Sequence, residues 1–236
     1  MPKSHPPSEL RPLAPDLFVA ERPRRLLGVE VGTRMTVIRL ADGALFAHSP
    51  IALEAGLRKQ VDALGPVRHV VAPNRFHHLW IGDYAAAYPE ARLFAAPGLA
   101  RKRGDVAFHA ELDDEAPPAW KGQIDQLVFA GAPLANEVVF CHRASRTLLM
   151  CDLVFHIGPE SPPTTRLAFR LLGSYGRLGP TPLEKWIVVR DRAAARASLE
   201  RILDWDFDRV IVAHGLVLER GGRDALRRGY AWLLGG

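Results

Sequence analysis

The sequence has almost no cysteine. Cys141 and Cys151 are the two in 236 residues, too few for a disulfide framework and not at metal-knuckle spacing. Both are therefore expected to be free thiols in a reducing compartment. No apolar run approaches the roughly 20 residues that span a bilayer, and residues 1–15 are polar and proline-rich, without the apolar core of a secretory signal. A cytoplasmic protein with no membrane partner is expected. A block of like charge is also missing. The 31 Lys and Arg exceed the 26 Asp and Glu to give +5, but the basic residues are scattered, which argues against the basic stripe of a nucleic-acid binder.

What is present is 48% hydrophobic residues, enough at this length to build a sizeable core. The expected organisation is one domain over residues 13–236 behind a flexible segment, 1–12. Short β-rich runs alternate with helical patterns, which predicts a layered α/β domain. In the first half, residues 17–20, 35–40 and 44–48 read as strands, the last two joined by the turn dipeptide Asp42-Gly43. A helix over 52–64, a strand over 69–72, the break Pro73-Asn74, an amphipathic stretch over 79–87 and a strand over 92–95 follow. Residues 104–121, charged and carrying Pro117-Pro118, read as a surface connection. The second half restarts with strands at 126–129, 137–142 and 147–154. A proline-rich loop, helices over 166–172 and 193–203, a strand over 209–213 and a helix over 225–234 complete it. Strands first and helices after, in each half, suits two sheets packed face to face with helices outside.

Nine histidines occur, and four stand where a strand ends: His48, the adjacent His77 and His78, and His214. Functional loops gather at such ends, although any one of these residues can also be an ordinary polar or core histidine. In an extended strand His77 and His78 would point to opposite faces; after Pro73-Asn74 an irregular turn could bring both to one ion. His214-Gly215 directly follows a strand, and the glycine permits close backbone approach. Asp152 lies in an apolar run, where an ionised carboxylate is costly unless paired, hydrogen-bonded or metal-bound. Cys151 is expected to face away from Asp152 and pack, and His142, near a hairpin tip, to be solvated.

Three segments together resemble the metallo-β-lactamase superfamily, and within it the DUF4336 branch, from about residue 13 to residue 234. The superfamily motif His-x-His-x-Asp-His falls on Pro73-Asn74-Arg75-Phe76-His77-His78 after Val70-Val71-Ala72, with His78 alone unchanged. The strand-borne bridging aspartate matches Asp152 in Leu148-Leu149-Met150-Cys151-Asp152-Leu153. The late strand-His-Gly signature matches Val210-Ile211-Val212-Ala213-His214-Gly215. The resemblance implies an αβ/βα four-layer sandwich. It also implies loss of the first of two metal sites, whose ligand positions here are Pro73, Arg75 and a loop near 131–136 without histidine. The second site maps onto His77, His78, Asp152 and His214, three nitrogens and one oxygen suited to one divalent ion, zinc first and iron second.

Arg75 would put a fixed positive charge where the missing ion sat, or be a salt-bridged surface residue. His48 and Glu137 are candidates for orienting the ligands. The function implied is a mononuclear metal-dependent hydrolase acting on a small-molecule substrate. Asp152 would orient water or accept its proton, and Arg75 or the metal would stabilise an oxyanion. The alternative is a degenerate, non-catalytic member without a metal that binds a small molecule or a partner; an iron oxidoreductase is a third reading.

Overall fold

The computed structural model describes residues 8–26 and 28–235. Strands β1 (Arg11–Ala14), β2 (Leu17–Arg22), the short hairpin β3 (Arg25–Leu26) and β4 (Val29–Glu30), β5 (Thr33–Arg39) and β6 (Leu45–His48) open the chain. Helix α1 (Ala55–Asp62), β7 (Val67–Ala72), α2 (Ile81–Ala87), β8 (Arg92–Ala95), α3 (Leu99–Lys102) and β9 (Ala110–Glu111) complete the first half. The second half comprises β10 (Ile124–Val128), β11 (Val138–His142), β12 (Thr147–Met150), α4 (Pro163–Leu171), a π-helical turn at Glu184–Val188, α5 (Arg192–Leu203), β13 (Arg209–Val212), α6 (Gly222–Gly229) and α7 (Ala231–Leu234). Seven strands make one sheet in the order β1-β2-β5-β6-β7-β8-β9, and four make the other, β10-β11-β12-β13.

The layering follows from side-chain alternation along strands that are apolar on both faces. In β6, Phe46 points into a core shared by the two sheets, while Leu45 and Ala47 point outward to meet Leu57 and Val61 of α1 and Tyr84 of α2. In β11 and β12, Phe140 and Leu149 enter the same shared core. Val139, Leu148 and Met150 face outward against Leu199 and Ile202 of α5 and Leu226 of α6. Helix, sheet, sheet, helix is the αβ/βα sandwich, and each sheet buries both its faces.

Several expectations need correction. Residues 104–121 are not merely a surface connection. Trp120 is fully buried, with its ring edge-on to Phe46 and Phe94 (centroids 5.0 and 4.8 Å) and its Nε1 donating to Gln126 Oε1 at 3.0 Å. The large indole and Leu112 fill the layer between the sheets. The strand expected over 147–154 stops at Met150, because the next two backbone N–H groups turn away to donate to the Glu137 carboxylate. Cys151 is buried, but not as the opposite face of a strand that carries Asp152. His142 is buried rather than solvated, its Nδ1 2.8 Å from Ser145 Oγ. The expected C-terminal helix is two short ones meeting at Tyr230. Of the segment 1–12, residues 1–7 lie outside the described residues; Leu10 N donates to Gln60 Oε1 and Arg11 pairs with Val19, so the boundary at 12 falls inside paired structure. No helix among the described residues is long and apolar enough to cross a membrane.

Parallel pairing is what assembles the site. Strands β12 and β13 run in register Met150↔Val212, so Asp152 and His214 each lie two residues beyond the last pair, at the same end of the sheet. Strand β7 reaches that end from the other sheet. Pro73 O accepts from Val138 N and Ala135 O from Arg75 N, tying the loop after β7 to the start of β11.

Candidate metal centre

Asn74 shapes the loop after β7. Its Oδ1 accepts from the N–H groups of Phe76 (2.9 Å) and His77 (2.7 Å), a side-chain turn that coils the backbone and buries the His77 ring. Arg34, itself buried, donates to the carbonyls of Val212 and Gly215 on either side of His214, and Glu21 balances its charge at 2.9 Å. Phe155 stacks on the His214 ring at 5.3 Å. Both imidazoles are thus held before any ligand arrives.

Three donor atoms converge. His77 Nε2 lies 3.3 Å from His214 Nε2 and 3.2 Å from Asp152 Oδ2, and His214 Nε2 lies 3.2 Å from Asp152 Oδ1. The other ring nitrogens are engaged: His214 Nδ1 donates to Gly32 O at 2.7 Å, and His77 Nδ1 is 2.8 Å from Ser49 Oγ. Because a carbonyl only accepts, the proton of a neutral His214 is on Nδ1 and its Nε2 lone pair faces Asp152. Two ring nitrogens and a carboxylate facing one another are held together either by a proton, which His77 Nε2 supplies when Ser49 Oγ donates to its Nδ1, or by a cation. Donors bound tetrahedrally at about 2.0–2.1 Å stand roughly 3.3–3.4 Å apart, close to the spacing seen here. The donor set therefore fits a small divalent ion.

Burial pushes the Asp152 carboxyl up, but the adjacent His77 and His214 outweigh it and hold the group well below the usual carboxylate range. Glu137 goes the other way, to about 7, through burial and the neighbouring Asp152 charge, against N–H donors from Cys151, Asn74 and Asp152.

Residues 15–174, well over half the chain, match the family described as Domain of unknown function (DUF4336). The chain belongs to that family. The DUF4336 chain also matches solved structures along its length. One is a metallo-beta-lactamase from Pontibacter korlensis, with 12% identity and a TM-score of 0.65 over 98% of this chain and 100% of that one. Another is the metal-soaked Flv1 flavodiiron core of Synechocystis sp. PCC6803, with 13% identity and a TM-score of 0.68 over 97% of this chain and 61% of that one. A third is FIM-1 of Pseudomonas aeruginosa in its mono-zinc form, with 10% identity and a TM-score of 0.62 over 97% and 94% of the two chains. At such identities the likeness establishes the metallo-β-lactamase fold. No curated protein matches the sequence.

Within this DUF4336 chain, His77, Asp152 and His214 form the described group able to hold an ion, and His78 and Arg75 stand outside it. Adjacent residues project in different directions, so the turn that buries His77 sends the His78 ring to Arg103, whose Nη1 is 3.0 Å from its Nδ1. Burial, with Lys102 and Arg103 nearby, lowers His78 to about 4. Arg75 Nη1 lies 3.5 Å from Pro133 O, on the loop without histidine. His48 packs edge-on to Phe140 at 5.2 Å, and burial pushes it down to about 3. Its neighbour Ser49 makes the contact to His77. Glu137 accepts from the backbone N of Asp152 and from Asn74, and so supports the carboxylate. Ser49 and Asn74 escaped the sequence reading, although an asparagine three residues before a histidine, just after a strand-ending proline, is a recognisable turn signal.

Proposed function

We propose that His77, Asp152 and His214 hold one divalent ion, zinc ahead of iron, and that the chain is a mononuclear metal-dependent hydrolase acting on a small-molecule substrate. The observation that carries this reading is the convergence of two imidazole nitrogens and a carboxylate at 3.2–3.3 Å with their outer nitrogens already engaged. A three-ligand protein set leaves one tetrahedral position open, as catalytic zinc sites do. A divalent ion bound there would supply Lewis acidity toward a carbonyl or phosphoryl oxygen and make water ionise near neutral pH. Asp152 is the most accessible of the three, with its side chain 16% exposed against 6% and 3% for the histidines. Held ionised by its neighbours, it can orient an attacking water by accepting a hydrogen bond from it. Ester, thioester, amide and phosphoester substrates all fit this arrangement.

The burial of both histidines favours a second reading, a non-catalytic protein that keeps the fold to bind a small molecule or partner. Elemental analysis of untagged protein separates the two. About one ion per chain in the wild type, lost in Asp152→Ala and His214→Ala but kept in His78→Ala, supports the three-residue centre and justifies screening hydrolase substrates. No stoichiometric metal after loading with zinc or iron favours the second reading.

A further inference from the structure

Asn74 does more than shape a loop. It is wholly buried, and all four of its hydrogen-bonding positions are used. Because Oδ1 receives two backbone N–H groups, the amide orientation is fixed, and Nδ2 is the atom 2.9 Å from Glu137 Oε2 and 2.6 Å from Asp152 Oδ2. Glu137 also accepts from two backbone donors: Cys151 N at 2.7 Å on Oε1 and Asp152 N at 2.7 Å on Oε2. Two neighbouring buried carboxylates ordinarily require a cation or a shared proton between them. Here a neutral amide lies between them and donates one N–H to each carboxylate.

We infer that Asn74 keeps a further cation out of the gap between Glu137 and Asp152, a place apart from the lost site at Pro73, Arg75 and the 131–136 loop: its amide fills that gap with donors that repel a metal ion. The inference rests on reading His77, Asp152 and His214 as a metal centre. Asp152 then presents its free lone pairs on the side facing the two histidines, and three of the four acceptor positions of Glu137 are taken. Asn74 is in these terms a positioning residue, acting on the ion through the carboxylates that it caps.

Asn74→Asp separates the two roles. It keeps an acceptor for the N–H groups of Phe76 and His77, but replaces the donor between Glu137 and Asp152 by a third carboxylate oxygen. Apo wild type and apo Asn74→Asp, both untagged, would be titrated with zinc chloride by calorimetry, with bound zinc counted by elemental analysis after gel filtration. The expected result is saturation at one zinc per chain in the wild type and at two in the variant. A purely structural role would lower the melting temperature without adding a binding event. Wild type saturating at two zinc ions, or folded Asn74→Asp saturating at one, overturns the inference. Wild type that binds no zinc overturns the metal-centre reading itself, and this inference with it. Should Asn74→Asp fail to fold, as judged by its circular dichroism melt, Asn74→Ala replaces it in the titration. That variant uncaps the same carboxylate pair, so a second, weaker zinc equivalent is expected, and a single equivalent counts against the inference.

Discussion

His48 should make the protein acid-sensitive in a window that can be calculated. The ring is buried against Phe140, its Nε2 has no partner among the described residues, and burial lowers it from an ordinary value near 6.5 to about 3. A base whose folded pKa is depressed is protonated first in the unfolded chain, so stability is fully present above about 6.5 and falls as the pH drops toward 3. At pH 5 the difference in proton binding amounts to about 2 kcal/mol. His48→Leu keeps an apolar group of similar size and abolishes this titration. Urea unfolding of both proteins at pH 7.5 and pH 5, with EDTA present, isolates the effect, since His69, His142 and His156, which burial also lowers, remain in both. Between the two pH values the wild type should lose about 2 kcal/mol more than the variant. That is a difference of roughly 0.7–1 M in midpoint for an m-value of about 2–3 kcal/mol/M. Equal losses in the two proteins would show that the buried His48 ring does not resist protonation, and the reasoning would fail.

Three further outcomes are expected. Ser49→Ala removes the partner of His77 Nδ1 and should weaken zinc binding about tenfold or more, measured by competition with a chromogenic chelator; unchanged affinity would remove Ser49 from the centre. Trp120→Ala should cost about 3–5 kcal/mol in chemical denaturation, and a loss below about 1 kcal/mol would contradict its place between the sheets. Gly215→Ala and Gly43→Ala both place a side chain at positive φ (+93° and +83°), but the added Cβ meets His156 O at 2.1 Å in the first and nothing within 4 Å in the second. The second should therefore cost about 1–2 kcal/mol and the first clearly more, with zinc affinity falling in the first alone.

The layered fold was legible because its strands carry apolar residues on both faces and its helices only on one. Asp152 and His214 were legible for a related reason: an acid in an apolar run and a histidine leading into glycine at a strand end are both unusual unless something requires them. Both His77 and His78 were read as ligands, and that His78 turns away from the centre was not legible. Motif alignment puts His77 on the superfamily's Asp and His78 on its final His, both ligand positions, whereas the Asn74 side chain coils the loop so that His77 faces the centre and His78 meets Arg103. Trp120 was hidden by the charged, proline-rich segment around it, since nothing in local composition reveals that one indole in a connection fills a gap between two sheets. The Gly32 carbonyl that orients His214 leaves no side-chain signal, being a backbone group brought close by tertiary structure.

His77 and His214 stand 137 residues apart in the chain, one after the seven-stranded sheet's β7 and the other after the four-stranded sheet's β13. An ion gripped by both is topologically a removable cross-link that closes a loop of that length. By analogy with a disulfide, where loops of around 100 residues correspond to about 4–5 kcal/mol of lost unfolded-state entropy, such a link would restrain the denatured chain for as long as it persisted. Chelation would then act as bond cleavage does, freeing the halves to separate without altering any covalent bond.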